Sequence, residues 1–377
     1  MSDAKQPNQP HEEQHRLDKP DGAPLRKGWT TGACATAATK AAMTALITGH
    51  FPDPVTITLP RGECPAFALA TEDLKDGVAI AGIVKDAGDD PDVTHGATVI
   101  STVRLLPPKS GIRFVAGHGV GTITKPGLPL GVGEPAINPV PRQMMTAVIE
   151  ALCSQAGISA DVEVTISIPG GEELAAKTWN PRLGILGGLS VLGTTGVVHP
   201  FSCAAWIHSI HRGIDVARAA GMTHVLGATG STSEKTAQAF HNLPETALLD
   251  MGDFAGGLLK YLRAHPVPRL TIAGGFAKLT KLAQGALDLH SSRSQVDLGF
   301  LVSLPVCEAL SPAARNLMLN ANTALEAYKI ASENDIDLGP SVAALARLAA
   351  LSILRNAPIS VDVIITDRQG KIIAHAT

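Results

Sequence analysis

THVLGATGSTSE, residues 223–234, sets a short apolar strand directly against a turn of small residues and then a helical pattern. The same order recurs. Residues 269–273 run into Gly274-Gly275-Phe276-Ala277-Lys278, and residues 189–192 run into Gly193-Thr194-Thr195-Gly196. Helical patterns at 204–220, 234–241 and 254–264 lie between them. Strand, glycine turn and helix in repetition is the pattern of a parallel sheet covered by helices. Within the first turn, Ser231-Thr232-Ser233-Glu234 has the spacing of a capping box for the helix that follows. Helices at 311–332 and 341–354 precede a terminal hairpin, whose arms 361–366 and 371–374 flank the turn 367–370.

The first half of the chain has a different texture. Thr30 is placed to cap an Ala-rich helix at 33–47, and residues 55–59 (VTITL) alternate as a strand does. VTITLPRGE at 55–63 is echoed by VTISIPGGE at 164–172, identical at six of nine positions, and the second copy follows a helical pattern at 142–155. The echo suggests one α+β domain with a partly duplicated plan. The expected organisation is a polar, Pro-rich disordered tail at 1–24, an α+β domain at 25–180, and an α/β domain with Gly-rich ligand loops at 181–377.

Residues 117–142, GHGVGTITKPGLPLGVGEPAINPVPR, are nearly half Gly or Pro yet lie between regular segments. Such a loop is stiff and shaped. It reads either as a long connection or as a binding wall presenting His118, Lys125, Glu134, Asn138 and Arg142.

Composition removes several classes of function. Aromatics are 3% of the chain and the net charge is −3, which argues against a nucleic-acid platform. The five cysteines are scattered and unpaired in sequence, indicating neither a disulfide framework nor a zinc site. The amino-terminal segment has no apolar core, and no run is long enough to span a membrane, so a cytoplasmic protein is expected.

In open α/β sheets, ligands bind beyond the carboxyl ends of the strands, where glycine turns bring backbone N–H groups close. The turns Gly193–Gly196 and Gly227-Ala228-Thr229-Gly230-Ser231-Thr232 fit that role, but neither has a nucleotide phosphate signature, so an adenosyl-type ligand is favoured over a phosphate. Four aspartates in residues 86–92 invite a hard cation and equally build turns. His290, in a polar turn, is the better candidate for a functional imidazole. Arg61, Lys125, Arg142, Arg182, Lys278 and Lys281 would suit a polycarboxylate if several shared one cleft.

TKPGLPLGVGEPAINPVPR, ending at Arg142, resembles the hallmark of the cobalt-precorrin-5B C(1)-methyltransferase family of anaerobic cobalamin biosynthesis. GWTTGACATAATKAA (28–42), DAGDDPDVTHGA (86–97), NPRLGILGGLSVLGTTGVV (180–198), KLTKLAQG (278–285) and the pair His290-Ser291 are similar to the same family, in the same order. The chain departs at Phe276, where members often carry His in a Gly-His-x-Gly-Lys motif. The resemblance implies methylation of C(1) by S-adenosylmethionine, giving cobalt-precorrin-6A. It also implies a first domain like the second domain of ribosomal protein S5, and a second that is α/β. The cobalt belongs to the corrinoid substrate, and no protein-bound metal is expected. The cofactor is expected at Gly193, Thr194, Thr195, Gly196, Gly227, Thr229, Gly230, Ser231 and Thr232. Lys125, Asn138, Arg142 and Arg182 would frame the anionic macrocycle, with His290 and Glu134 as candidate catalytic groups. Rival readings are a nucleotide-dependent phosphotransferase on an S5-like scaffold and a non-catalytic corrinoid carrier. The sequence leaves a homo-oligomer open.

Overall fold

The computed structural model describes residues 23–377, so all but the end of the tail expected at 1–24 lies outside the described residues. The chain forms two compact units and passes between them more than once. The first comprises residues up to Val120, with Ile137–Leu174 and Ser190–Ser202; the second takes Gly121–Ala136, Ala175–Leu189 and Cys203–Thr377.

The first unit is built on helix α1 (Thr31–Thr48) and a mixed sheet. Its strands are β1 (Thr71–Lys75), β2 (Val78–Val84), β3 (Thr98–Leu105), β4 (Ile112–Ala116) and β5 (Val162–Ser167). Their order is β1-β2-β3-β5-β4, antiparallel except for the β5–β4 pair. Helix α2 (Pro139–Ala156) packs beside α1. Small side chains let α1 lie close to the sheet: Ala33, Ala35, Ala37, Ala38, Ala41 and Ala42 are all fully buried. The Thr30 hydroxyl accepts from the Ala33 N–H, the cap expected from sequence. Thr30→Ala should cost about 1 kcal/mol, read as a lower urea midpoint.

The two echoed nonamers take different roles. Residues 162–167 form a central strand with a neighbour on each side, whereas the first copy forms only a short hairpin, Val55–Thr56 pairing with Ala66–Phe67 and Ile57 and Leu59 donating to Pro65 and Glu63. Each copy follows a helix, as expected, but the two strands are not equivalent in the sheet. The echo records alternation alone, and alternation does not decide how many neighbours a strand finds.

The second unit holds the parallel sheet. Its strands are β6 (His224–Ala228), β7 (Leu248–Asp250), β8 (Arg269–Gly275), β9 (Ser360–Thr366) and β10 (Ile372–Ala376). They lie in the order β7-β6-β8-β9-β10, with only β10 antiparallel. Alternate residues face opposite layers. Val225, Leu270, Ile272, Val361 and Val363 enter the larger core, while Leu226, Ala228, Ala273 and Ile364 enter a smaller one. Burial on both faces explains why these strands read as continuous apolar runs. The longer helices are α3 (Cys203–Ala219), α4 (Ser231–His241), α5 (Ala255–Ala264), α6 (Phe276–Ala283), α7 (Pro312–Leu319), α8 (Ala324–Glu333) and α9 (Gly339–Leu354).

Two expectations are corrected. Residues 189–192 supply no strand to the parallel sheet; Gly188–Leu189 is a two-residue strand in a separate pair, and the turn at 193–196 folds against α1 in the first unit. The single helix expected at 311–332 is two, because Thr323 caps a new start at Ala324.

The Pro-Gly-rich loop is ordered by contacts of its own. In the second unit, Ile123, Leu130 and Ala136 form a small core with Ile185, and Thr122–Ile123 pairs with Ile185–Leu186. At Gly127, with φ of +107°, an added Cβ would fall 2.6 Å from the Asp215 carbonyl of α3. The glycine is needed for that approach.

Candidate active site

The chain runs from β6 to β7 on one side and then crosses to β8 on the other. The switch point therefore lies between β6 and β8, at their carboxyl ends. Helices α4, α5 and α6, which follow the first three parallel strands, all begin without a side-chain cap. In α1, α7 and α8, by contrast, Thr30, Ser311 and Thr323 supply one. Uncapped first turns leave N–H groups and the positive end of the helix dipole for a ligand. Gly230 and Gly275, which open α4 and α6, each face open space where a Cβ would stand.

The expected capping box does not form. Gly230 is the N-cap, and Glu234 instead takes both guanidinium nitrogens of Arg182, at 2.8 and 2.9 Å. The Ser233 hydroxyl turns back to the Gly230 carbonyl. A planar fork that satisfies both carboxylate oxygens outcompetes one backbone N–H. Arg182 also lies over the Trp179 ring, 5.2 Å from its centroid.

Asp250 completes the edge. As the last residue of β7 it pairs in register with Ala228, the last of β6. Burial, and then the Glu234 carboxylate, push its carboxyl above the usual range. Lys278, in the first turn of α6, reaches the Thr229 carbonyl at 3.1 Å and Asp253 at 2.9 Å. The edge thus combines open glycines, uncapped amides, a half-buried carboxylate and an ammonium. A cavity of about 550 Å³ is lined by α3, α5 and the segment after α6, with Cys203, His211, Phe254, Tyr261, Asp288 and Arg293 among its walls. Asp250 is not among the residues expected from the sequence. The signal that could have found it is an acidic residue closing the next strand, about 20 residues beyond the glycine turn.

Comparison with known proteins settles the family. The CbiD family model matches residues 18–200, and the model for the CbiD C-terminal domain matches residues 288–377. A cobalt-precorrin-5B C(1)-methyltransferase of Brucella abortus is 67% identical, over 94% of this chain and 96% of the relative. The protein of the same name in Brucella anthropi is 66% identical, over 93% and 96%. The chain belongs to the CbiD family. A 1.9 Å crystal structure of the cobalamin biosynthesis protein (cbiD) of Archaeoglobus fulgidus is 28% identical, with a TM-score of 0.40, covering 72% of this chain and 84% of that one.

The residues expected to serve this CbiD-family chain divide between the units. Gly227, Thr229, Gly230, Ser231 and Thr232 lie at the carboxyl edge just described, although Gly227 is a packing glycine whose added Cβ would meet Leu258 at 2.4 Å. Gly193, Thr194, Thr195 and Gly196 belong to the first unit. There an added Cβ at Gly193 would strike Thr30 and one at Gly196 would strike Leu59, so packing accounts for both glycines. The Thr195 hydroxyl binds the Val197 N–H, and Thr194 lines a groove between α1 and α2.

Lys125 and Glu134 lie on the ordered loop of the second unit. The Lys125 stem rests on Gly184 and its ammonium donates to Thr246 at 2.7 Å. Asn138 and Arg142 are in the first unit: Asn138 is the N-cap residue of α2, and Arg142 donates to the Ile137 carbonyl and stands over Phe114. His290 is exposed, its Nδ1 2.7 Å from the Ser292 hydroxyl. Phe276, where the family often has His, is buried and packs on Tyr328. The aspartate run offers no open cage. Asp86 pairs with Arg26, Asp90 accepts from the Phe201 N–H, and Asp92 pairs with the buried Lys85.

Proposed function

We propose that S-adenosylmethionine binds at the carboxyl edge of the parallel sheet, with Gly230 and the first turn of α4 facing its charged amino-acid end and Asp250 accepting from its ribose hydroxyls. The activity itself follows from the family: a CbiD chain this close to the Brucella enzymes is a cobalt-precorrin-5B C(1)-methyltransferase of cobalamin biosynthesis. The observation that carries the placement is Asp250 beside Ala228, where the open turn at Gly230 begins. The second glycine turn is preferred over the first because Gly193 and Gly196 are already required by packing.

The chemistry asks for alignment. C(1) of the corrinoid attacks the sulfonium methyl; the new C–C bond forms as the S–CH3 bond breaks, and S-adenosylhomocysteine leaves with the electron pair. A sulfonium is electrophilic without help, so positioning supplies most of the acceleration. Glu134 and His290 are the groups proposed to handle a proton. Lys125, Asn138, Arg142 and Arg182 are proposed to meet the substrate carboxylates, and cobalt enters as part of the substrate. The mixed sheet with α1 and α2 suits the S5-like plan proposed for the first unit. All five cysteines are free, which suits a reducing compartment, and we place the protein in the cytoplasm. Among the described residues, no helix is long and apolar enough to cross a membrane.

Anaerobic incubation with methyl-labelled S-adenosylmethionine and cobalt-precorrin-5B should place one label on C(1). Corrinoid binding without transfer would favour a carrier. Arg142→Ala should weaken corrinoid binding roughly tenfold, the worth of one charged contact, and leave S-adenosylmethionine affinity intact. Equal loss of both would refute that division of roles.

A further inference from the structure

At the opposite, amino-terminal end of the same sheet, three elements bring titratable groups together beneath the end of α4. His224 opens β6, His241 closes α4, and Asp362 is the third residue of β9. One ligand atom from each lies within 4.8 Å of the others. A third imidazole, His375 of β10, stands 3.4 Å from Asp362 Oδ2. We infer that His224, His241 and Asp362, with His375 as a fourth ligand, form a site for a divalent first-row transition metal of the zinc class.

Spacing is the first argument. A tetrahedral ion with bonds of about 2.0–2.1 Å holds its donor atoms about 3.3 Å apart. The nitrogens of His241 and His375 lie 3.0 and 3.4 Å from Asp362 Oδ2, close to that spacing, while the ligand atoms of His224, His241 and Asp362 lie within 4.8 Å of one another, so the side chains would close in around an ion. Donor type is the second: three imidazoles and one carboxylate form a borderline set that suits zinc, cobalt(II) or nickel(II) over calcium or magnesium.

The surroundings are those of a supported site. Arg269 holds the other carboxylate oxygen, Asp362 Oδ1, at 2.9 Å and leaves Oδ2 facing the imidazoles. Thr271 donates to that Oδ2 and lies 2.7 Å from His224 Nε2. Ligating groups are characteristically fixed by such outer hydrogen bonds.

The test uses untagged full-length protein, stripped with chelator and titrated with Zn2+ and, separately, Co2+. One equivalent should bind, the cobalt form should show the intense visible absorption of a tetrahedral ion, and the melting temperature should rise. Removing even an outer partner of a metal site costs about 10- to 100-fold in affinity, so His241→Gln should weaken binding at least that much. His375→Gln, on the exposed edge strand, removes a longer contact to Asp362, 3.4 Å against 3.0 Å for His241, and so provides a milder second variant. Absence of stoichiometric binding, or binding unchanged in both variants, overturns the site and leaves a hydrogen-bonded clamp.

Discussion

Asp250→Asn should raise the dissociation constant for S-adenosylmethionine roughly 10- to 100-fold, the worth of hydrogen bonds to a charged acceptor at about 1.5–3 kcal/mol. Corrinoid affinity should stay unchanged. The carboxylate lies level with the end of β6, half-buried, next to the turn whose Gly230 faces open space. A carboxylate can accept from two adjacent hydroxyls at once; the amide that replaces it keeps the shape and loses one acceptor and the charge. Calorimetric titration with S-adenosylmethionine and with S-adenosylhomocysteine measures the loss, and unchanged affinity for both would remove Asp250 from the site.

The same substitution has a second, opposite signature. Burial and Glu234 raise the Asp250 carboxyl above its unfolded value. Between those two values the folded state binds more protons than the unfolded one, so stability falls as pH rises through the window. Asp250→Asn removes that burden and should raise the melting temperature at neutral pH while lowering cofactor affinity. A group that costs the fold stability and lies at an open edge is a sign of function. In the native protein, affinity should fall on acidification at a higher pH than an ordinary carboxylate would give, and the variant should lose this dependence.

Arg182→Ala should destabilise the second unit by about 2–3 kcal/mol. Breaking a buried ion pair costs about 3–5 kcal/mol, reduced here because the Arg182 side chain is 32% exposed. The Glu234 side chain is only 10% exposed and has Asp250 nearby, so losing its partner leaves a carboxylate with little water and a like charge close by. Glu234→Gln in the same chain should recover most of the loss. Arg182→Lys should not, because an ammonium cannot bind both oxygens in the fork geometry. Urea unfolding measures all three. A loss below about 0.5 kcal/mol for Arg182→Ala would mean the pair is an ordinary surface contact. The pairing also bears on the substrate: Arg182 can meet a corrinoid carboxylate only while it shares or releases Glu234.

The parallel sheet of the second unit was readable because its strands are buried on both faces, and THVLGATG or RLTIAGG admits few other readings. The Thr30 cap was readable because capping is local. Glu234 was misread for the complementary reason. Its spacing from Ser231 satisfies a local rule, but Arg182, distant in sequence, offers a better partner, and nothing near Glu234 announces it.

By itself, the sequence determined the family and the α/β character of the second unit, since both rest on residue types in consecutive order. Tertiary structure alone decided which of two glycine turns is open. Gly193 and Gly230 look alike in sequence, yet a Cβ at the first would collide with Thr30 and at the second would meet nothing. It also decided that Asp250 stands beside the open turn and that three histidines surround Asp362. Those neighbours come from strand order and helix crossing, which place distant residues side by side and leave no mark in the local pattern.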